Sequence, residues 1–249
     1  MDSIKEFGLI GNPLSHSFSE SFFNEKFHAE HIPATYSNFE FEDIGELMEL
    51  IAEHPQLHGF NVTIPYKEQI IPYLTDISPE AEAIGAVNVV KIVSPGTKDF
   101  RLIGYNTDYL AFKKTVEELL GDIKRNALIL GTGGASKAIE FALKELDFTT
   151  KKVSRTPSEE QLSYDALDKT INDNFLIVNT TPLGTYPKTT ECPDIPYDVL
   201  SNNHLCYDLV YNPGITEFMK KCAEKGAAVK NGNQMLILQA QLSWDIWSR

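Results

Sequence analysis

The sequence has few cysteines, no long apolar run and no metal-binding motif, and each of these shortages excludes a class of protein. No apolar run approaches the roughly 18 residues of a membrane-spanning helix, because segments such as 127–130 and 175–178 end within a few positions. The three cysteines are widely spaced, which argues against a disulfide framework and against C-x-x-C metal or redox chemistry. His54 and His58 do not form an H-E-x-x-H pattern, so we expect no metal site.

Positive charge is also scarce. The chain has 22 lysines and arginines against 35 aspartates and glutamates, which gives a net charge of −13. Nucleic-acid-binding proteins usually present a basic surface, so we expect no nucleic-acid partner. Any anionic ligand must be held by local groups against an unfavourable mean field. The first residues lack the basic-then-apolar layout of a signal peptide, so we expect a reduced, cytoplasmic location and no membrane partner.

The chain has enough apolar material for a real core, since 42% of its 249 residues are hydrophobic and 23% are charged. This length suggests one large domain or two of about 100–150 residues each. Short apolar runs alternate with longer amphipathic stretches, which is typical of a parallel α/β sheet. No internal repeat is visible.

The pattern predicts individual elements. In the first half we expect strands at 4–10, 35–41 and 59–64, and a hairpin formed by 87–93 and 100–104. In the second half we expect strands at 127–130, 151–154, 175–178 and 205–208, and helices at 109–119, 135–146 and 235–247. A boundary near residues 104–107 divides the chain into a domain of residues 1–104, joined by the C-terminal helix 233–249, and a domain of residues 105–232.

A glycine-rich turn follows the strand at 127–130. Gly131, Gly133 and Ser136 occupy the three positions of a G-x-G-x-x-G/A pattern. In a dinucleotide site the first glycine permits a tight turn, and the second lets the backbone approach the pyrophosphate at the helix N-terminus. An ordinary strand-to-helix turn is the alternative, but the strand before and the helix after favour the dinucleotide site.

The end of the next strand indicates which nucleotide fits. An NAD site places Asp or Glu about 20 residues further on, to bind the ribose hydroxyls. Here the strand ends in Ser154-Arg155-Thr156, with no carboxylate before Glu159. Arg155 suits a 2′-phosphate through charge-assisted hydrogen bonds, although a solvated surface arginine is the competing interpretation. The sequence therefore favours NADP.

Two charged residues are candidates for proton chemistry. Lys67 would lie in the first turn of a helix starting at Pro65, where the helix dipole disfavours a cation, although a solvated lysine is the commonest interpretation. Asp108 ends the sequence Asn106-Thr107-Asp108, where helix capping alone would explain all three residues. The pattern of residues does not by itself bring Lys67 and Asp108 together.

A group of serines precedes the first predicted helix. Ser15, Ser17 and Ser19 offer hydroxyl groups at alternating positions beside His16. They are interpreted either as a cap and polar turn or as a site that captures a carboxylate at a helix N-terminus.

Seven segments together, in this order along residues 11–240, resemble the shikimate dehydrogenase family. They are Gly11-Asn12-Pro13-Leu14-Ser15-His16-Ser17-Phe18-Ser19, Asn61-Val62-Thr63-Ile64-Pro65-Tyr66-Lys67, Gly85-Ala86-Val87-Asn88, Asn106-Thr107-Asp108, Gly131-Thr132-Gly133-Gly134-Ala135-Ser136, Asn179-Thr180-Thr181-Pro182-Leu183-Gly184 and Met235-Leu236-Ile237-Leu238-Gln239-Ala240.

The resemblance implies an α/β protein with an N-terminal α/β substrate domain, a Rossmann-type doubly wound NADP-binding domain and an active site in the cleft between them. The implied activity is the reversible NADPH-dependent reduction of 3-dehydroshikimate to shikimate, with a small-molecule substrate and a monomeric or homodimeric enzyme. The alternatives are a quinate/shikimate or aminoshikimate dehydrogenase, and a catalytically idle NADP-binding sensor module.

The resemblance also implies residue roles, with Lys67 and Asp108 as the catalytic pair. The substrate is expected at Ser17, Ser19, Thr63, Asn88, Asp108, Tyr211 and Gln239. The cofactor is expected at Gly131, Thr132, Gly133, Gly134, Ala135, Ser154, Arg155, Thr156, Thr181, Leu209 and Gly232. Two positions depart from the family pattern. Glu159 replaces a cation of the phosphate-binding motif, which weakens the expected 2′-phosphate binding, and Glu20 replaces a proline, a change that we expect to be tolerated.

Overall fold

The structure, a computed structural model, describes residues 4–14, 17–120 and 125–249. The chain folds into two compact units. The first comprises Met1–Thr107 and Ala240–Arg249, and the second comprises Asp108–Gln239. No helix among the described residues has the length and apolar character needed to cross a membrane.

The first unit is built on a mixed sheet with the strand order β2-β1-β3-β5-β6-β4. Its strands are β1 (Lys5–Gly11), β2 (Ala34–Glu40), β3 (Leu57–Val62), β4 (Asp76–Ile77), β5 (Val89–Val93) and β6 (Arg101–Tyr105). Its helices are α1 (Phe18–Ala29), α2 (Leu47–Glu53), α3 (Tyr66–Gln69) and α4 (Pro79–Ile84). β1 pairs in parallel with β2 and β3, whereas β5 and β6 form the predicted antiparallel hairpin.

An aromatic cluster fills one face of this sheet. Phe7, Phe23 and Tyr36 are almost fully buried, and Tyr36 stacks on Phe23 with 4.6 Å between the ring centroids. Trp247, near the end of the chain, joins them and donates a hydrogen bond from Nε1 to the carbonyl of Val90 (2.9 Å). Trp247 therefore packs in the core of the first unit, to which residues 240–249 belong.

The second unit has an all-parallel sheet with the order β12-β11-β10-β7-β8-β9. Its strands are β7 (Asn126–Leu130), β8 (Thr149–Ser154), β9 (Leu162–Ser163), β10 (Leu176–Asn179), β11 (Leu205–Asp208) and β12 (Ala228–Lys230). Its helices are α5 (Asp108–Glu117), α6 (Gly134–Glu145) and α7 (Glu217–Glu224), and α8 (Asn233–Ser248) begins in it.

This strand order defines the doubly wound fold. Counted along the unit, β7 is the first strand and the order across the sheet is 6-5-4-1-2-3, which is the order of Rossmann-type dinucleotide-binding sheets. The predicted fold class is confirmed. The order reverses between β7 and β10, and ligands of such sheets bind outside the carboxyl ends of the strands at that point. Leu130 pairs with Asn179, and Asn179 pairs with Asp208, so these three strands end level with one another.

Candidate active site

In the first unit the segment Gly85–Asn88 connects two of the candidate segments. The backbone N–H of Val87 donates to the carbonyl of Lys67 (2.8 Å). On its other side, Asn106 Nδ2 donates to the carbonyl of Ala86 (2.9 Å). The fold therefore brings the helix that carries Lys67 close to Asn106, although 39 residues separate the two positions along the chain.

Lys67 lies in the first turn of α3, as predicted, and its side chain is half-buried. The preceding residue, Tyr66, is fully buried, and its hydroxyl donates to the carbonyl of Phe41 (2.5 Å). This anchor fixes the backbone from which the lysine side chain projects. Lys67 belongs to the first unit, and Asp108 is the first residue of the second.

Asn88 and Thr107 hold each other through a pair of hydrogen bonds. Asn88 Oδ1 accepts from the backbone N–H of Thr107 (2.7 Å), and Asn88 Nδ2 donates to Thr107 Oγ1 (3.0 Å). Both residues are buried. Asp108 follows Thr107 directly, starts α5 and is only 6% exposed. A buried carboxyl at the start of a helix is favoured by the helix dipole.

A buried line of neutral polar groups leads from Asn88 to the serine segment. Asn61 Nδ2 donates to the Asn88 carbonyl (3.2 Å) and to Ser243 Oγ (2.9 Å), while Asn61 Oδ1 accepts from the Tyr36 hydroxyl (2.8 Å). Burial raises the pKa of Tyr36 well above its usual value, and a hydrogen bond with Ser19 opposes the rise. Ser19, Tyr36, Asn61 and Asn88 therefore form one connected network.

The serine segment has the predicted cap geometry. Ser17 is the N-cap of α1, and its Oγ accepts from the backbone N–H of Ser19 (3.3 Å). Ser15 and His16 lie outside the described residues. Thr63 follows β3 and is half-buried.

In the second unit the glycine-rich turn has the backbone that a dinucleotide site needs. Gly131 has a φ of +112°, in the region that favours glycine, and a Cβ there would lie 2.7 Å from Thr180 Oγ1. Gly133 is the N-cap of the 12-residue helix α6, and among the described residues no side chain caps that end. Ser136 is buried and donates from Oγ to the Gly133 carbonyl (2.7 Å). The first N–H groups of α6 therefore suit an anion.

Arg155 directly follows β8, the strand next to β7. The turn is fixed because Ser154 Oγ accepts from the backbone N–H of Thr156 (3.2 Å). Arg155 is exposed. Burial raises the pKa of Tyr164, and the positive charge of Arg155 opposes that rise, so the guanidinium lies near the Tyr164 ring. Glu159 is exposed as well. The end of the second strand of such a sheet is the place where the 2′-phosphate of NADP would bind, and a cation lies there.

The remaining cofactor candidates surround a buried carboxylate. Asp208, at the end of β11, accepts from Asn179 Nδ2 (2.9 Å), the Val210 N–H (3.0 Å) and Thr216 Oγ1 (2.5 Å). Burial raises its pKa to about 6, and the hydrogen bonds from Thr216, Val210 and Asn179 oppose the rise. Asp208 and Asn179 were not among the site residues expected from the sequence, although Asn179 begins one of the segments that carry the resemblance. The signal was a polar residue at the end of each of two adjacent apolar strands.

Leu209 and Gly232 are held close together next to this carboxylate. A Cβ on Gly232 would lie 2.1 Å from the Leu209 carbonyl oxygen, so only glycine permits this approach. The Gly232 N–H donates to the Val210 carbonyl (3.3 Å).

The substrate candidates Tyr211 and Gln239 are both half-buried in this unit. The glycine turn, the uncapped helix start and the cation after β8 together fit an NADP molecule.

The family model for the shikimate dehydrogenase substrate binding domain matches residues 9–90. A shikimate dehydrogenase (NADP(+)) from Methanococcus maripaludis strain S2 is 39% identical over 260 residues, which covers 97% of this chain and 91% of that protein. A shikimate dehydrogenase (NADP(+)) from Clostridium botulinum strain Hall is 37% identical and covers 96% of this chain and 95% of its own. The crystal structure of shikimate 5-dehydrogenase from Thermus thermophilus, in complex with NADP(H) and shikimate, superposes with a TM-score of 0.83 at 29% identity and covers 98% of this chain and 93% of that chain.

Proposed function

The chain belongs to the shikimate dehydrogenase family, and we propose that it catalyses the reversible NADPH-dependent reduction of 3-dehydroshikimate to shikimate, a step of aromatic amino acid biosynthesis. The observation that carries the proposal is the 39% identity, over 97% of this chain, to a shikimate dehydrogenase (NADP(+)). We also propose a reducing, cytoplasmic location, which the three free cysteines of the chain support. For the oligomeric state we propose a monomer or homodimer.

The two domains have different main roles in this proposal. Residues 1–104 with 233–249 form the substrate-binding catalytic domain. Residues 105–232, which also include the substrate candidates Asp108 and Tyr211, form the NADP-binding domain. The match of the substrate-domain family model to residues 9–90 supports the first assignment. The Rossmann-type strand order and the glycine turn support the second.

Lys67 transfers the proton. The reaction adds a hydride to the carbonyl carbon and a proton to its oxygen, and NADPH supplies the hydride when bound. Lys67 acts as the general acid in reduction and as the general base in oxidation. Its half-buried position on an anchored helical turn supports this role, because a fixed backbone limits how far the ammonium can move. Asp108 binds a substrate hydroxyl and the ammonium of Lys67.

The remaining residues orient the two ligands. Ser17 and Ser19 bind the substrate carboxylate through their hydroxyls. The ring is held by the side chains of Thr63, Asn88, Tyr211 and Gln239. The pyrophosphate is bound by the turn Gly131-Thr132-Gly133-Gly134-Ala135, and the 2′-phosphate by Ser154, Arg155 and Thr156. Thr181, Leu209 and Gly232 also contact the cofactor. The pair of hydrogen bonds between Asn88 and Thr107 supports a fixed orientation for the Asn88 amide.

A spectrophotometric assay tests the proposal. Purified protein is expected to oxidise shikimate with NADP⁺, and the reduced nicotinamide is measured by its absorbance. Quinate and aminoshikimate, each with NAD⁺ and NADP⁺, provide the comparison. A higher kcat/KM for quinate than for shikimate would replace the proposed substrate, and no turnover with any pair would favour an NADP-binding sensor.

A further inference from the structure

Asp208, in the polar centre of the second unit, has no role in the proposed function, but its hydrogen bonds connect segments that do have one. Asp208 has no exposed surface. Its Oδ1 accepts hydrogen bonds from Asn179 Nδ2 and the Val210 N–H, and its Oδ2 accepts one from Thr216 Oγ1. Three donors on one carboxylate stabilise its ionised form.

The first donor connects Asp208 to the turn after β10. Asn179 lies opposite Asp208 in the parallel pairing of β10 and β11. With its Oδ1, Asn179 accepts from both the backbone N–H (3.0 Å) and the Oγ1 (2.7 Å) of Thr181. The orientation of the Asn179 amide, and with it Thr181, is therefore set by the carboxylate that its Nδ2 meets.

The other two donors fix the loop after β11 at both of its ends. Val210 N donates to Asp208 at the start of the loop, and the Val210 carbonyl accepts from Gly232. Thr216 closes the loop, where it is also the N-cap of α7 and accepts from the Met219 N–H (3.2 Å). Leu209 lies between Asp208 and Val210, and Tyr211 lies between Val210 and Thr216.

We propose that Asp208 is a positioning residue for NADP binding, whose carboxylate fixes Thr181, Leu209 and Gly232 relative to one another. This inference rests on the proposed function, because it needs NADP as the ligand of this edge of the sheet. Protonation of Asp208 removes acceptor capacity that its three donors require. NADP binding therefore weakens as the pH falls below about 6, where burial places the pKa of Asp208.

The surroundings of Asp208 do not mask this titration. The influences on its pKa are burial and the three hydrogen bonds, and none of them comes from a charged side chain. On β11 the neighbouring titratable groups are Tyr207, whose pKa burial raises to about 12, and the thiol of Cys206. From α7 the thiol of Cys222 faces it, and a hydrogen bond with Cys206, burial and nearby charges raise the Cys222 pKa. β10 presents the neutral amide of Asn179.

Calorimetric titration of NADP⁺ into wild-type protein and Asp208→Asn, without substrate, tests the proposal. We expect the variant to bind about tenfold more weakly near pH 8, since hydrogen bonds to charged groups are stronger than neutral ones. The ratio of the two Kd values is expected to fall toward one near pH 5. The 2′-phosphate of NADP⁺ itself titrates near pH 6, but this effect cancels in the ratio.

Thr216 offers a second, matched pair of variants. Thr216→Ser keeps the hydroxyl donor and is expected to bind NADP⁺ within about twofold of wild type, whereas Thr216→Val loses the donor and is expected to bind several-fold more weakly. Loss of the donor also raises the pKa of Asp208, so the pH midpoint of binding rises in Thr216→Val. A weakened helix cap alone would not move that midpoint. The exposed Asp198→Asn is the control for loss of an aspartate charge in the same unit, and its affinity is expected to be unchanged.

The outcomes separate this inference from the proposed function. If wild-type protein binds no NADP⁺, the proposed function fails. If wild-type protein binds NADP⁺ and Asp208→Asn binds it equally near pH 8, only the role of Asp208 is overturned. If Asp208→Asn does not fold, as judged by circular dichroism, the Thr216 pair decides: equal midpoints for Ser and Val overturn the inference, and a raised midpoint for Val supports it.

Discussion

The two units organise their buried polar groups in different ways. In the first unit Tyr36, Asn61 and Asn88 are neutral, and each amide donates and accepts within the same network. In the second unit the centre is the carboxylate of Asp208, which accepts only and depends on donors from three other segments. A neutral network satisfies itself at any physiological pH, whereas a buried carboxylate remains sensitive to protonation.

The buried carboxylate and the buried neutral network differ in their free-energy cost. Burying an ionisable carboxyl among apolar strands is unfavourable, and the raised pKa of Asp208 expresses that cost. In exchange one group can hold three segments at once. The neutral network avoids the cost, but every member depends on its partner, since an unpaired buried polar group is destabilising. The following experiments distinguish the two.

In the proposed mechanism the catalytic contribution of the first unit rests on Lys67. We expect Lys67→Ala to lower kcat by about 10²–10⁴-fold, because general acid–base catalysis contributes on that scale, and to leave shikimate binding nearly intact. Steady-state kinetics and calorimetric binding of shikimate measure the two quantities. Lys98→Ala, at an exposed lysine of the same unit, is the control. A kcat within tenfold of wild type would remove Lys67 from the mechanism.

The stability of the second unit is expected to depend on pH through Asp208. Its pKa is about 6 in the folded protein and near the ordinary 3.8 in the unfolded chain. Between these values the folded protein holds a proton that the unfolded chain has released, so the free energy of unfolding falls as the pH rises from about 4 to about 6. About two pKa units correspond to about 3 kcal/mol. Denaturant unfolding at several pH values measures this, and Asp208→Asn should lack that part of the decline. Parallel curves for the two proteins would contradict it.

Arg155 is expected to set the cofactor preference. Arg155→Ala removes a bidentate charged hydrogen bond worth about 1.5–3 kcal/mol, so NADP⁺ should bind about tenfold to a hundredfold more weakly while NAD⁺ binding is unchanged. Calorimetric titration with both cofactors measures the change. Lys188→Ala removes an exposed positive charge elsewhere in the unit and serves as the control. A kcat/KM with NAD⁺ that equals or exceeds that with NADP⁺ in the wild-type protein would contradict the role of Arg155.

The neutral network is tested by removing one hydroxyl. Tyr36→Phe leaves Asn61 Oδ1 without its donor, and we expect the free energy of unfolding to fall by about 1–3 kcal/mol. Because no group of this network titrates near neutral pH, the loss should be the same at pH 5 and pH 8, in contrast to the effect at Asp208. Chemical denaturation at both values measures it. A loss that varies with pH would place a titrating group in the network.

Glu159 is expected to have the smallest effect. Exposed repulsion between a carboxylate and a phosphate is usually worth less than about 1 kcal/mol, so Glu159→Lys should tighten NADP⁺ binding by only a few-fold and leave NAD⁺ unchanged. Glu224→Lys, which makes the same charge change at another exposed position, separates this local effect from that of net charge. Equal tightening in both variants would exclude a specific role for Glu159.

Regular elements were largely accessible from the sequence pattern. The strand predicted at 205–208 is β11, and the hairpin predicted from 87–93 and 100–104 is formed by β5 and β6. The shortest strands escaped prediction. β4, β9 and β12 contain two or three residues each, which is too short for any periodicity, and each exists because a neighbouring strand offers it a partner.

The sequence by itself determined the family, the glycine turn and the cation after β8, because each is carried by residues adjacent in the chain. Only the tertiary structure decided how Asp208 meets Asn179 and how Asn61 meets Ser243, which is 182 residues away. A hydrogen bond requires the two atoms to lie within about 3 Å; strand register sets that distance for Asn179 and Asp208, and the packing of α8 on the sheet sets it for Asn61 and Ser243. Local patterns indicate that a strand ends in a polar residue. Which polar residue lies opposite it depends on the pairing of the whole sheet.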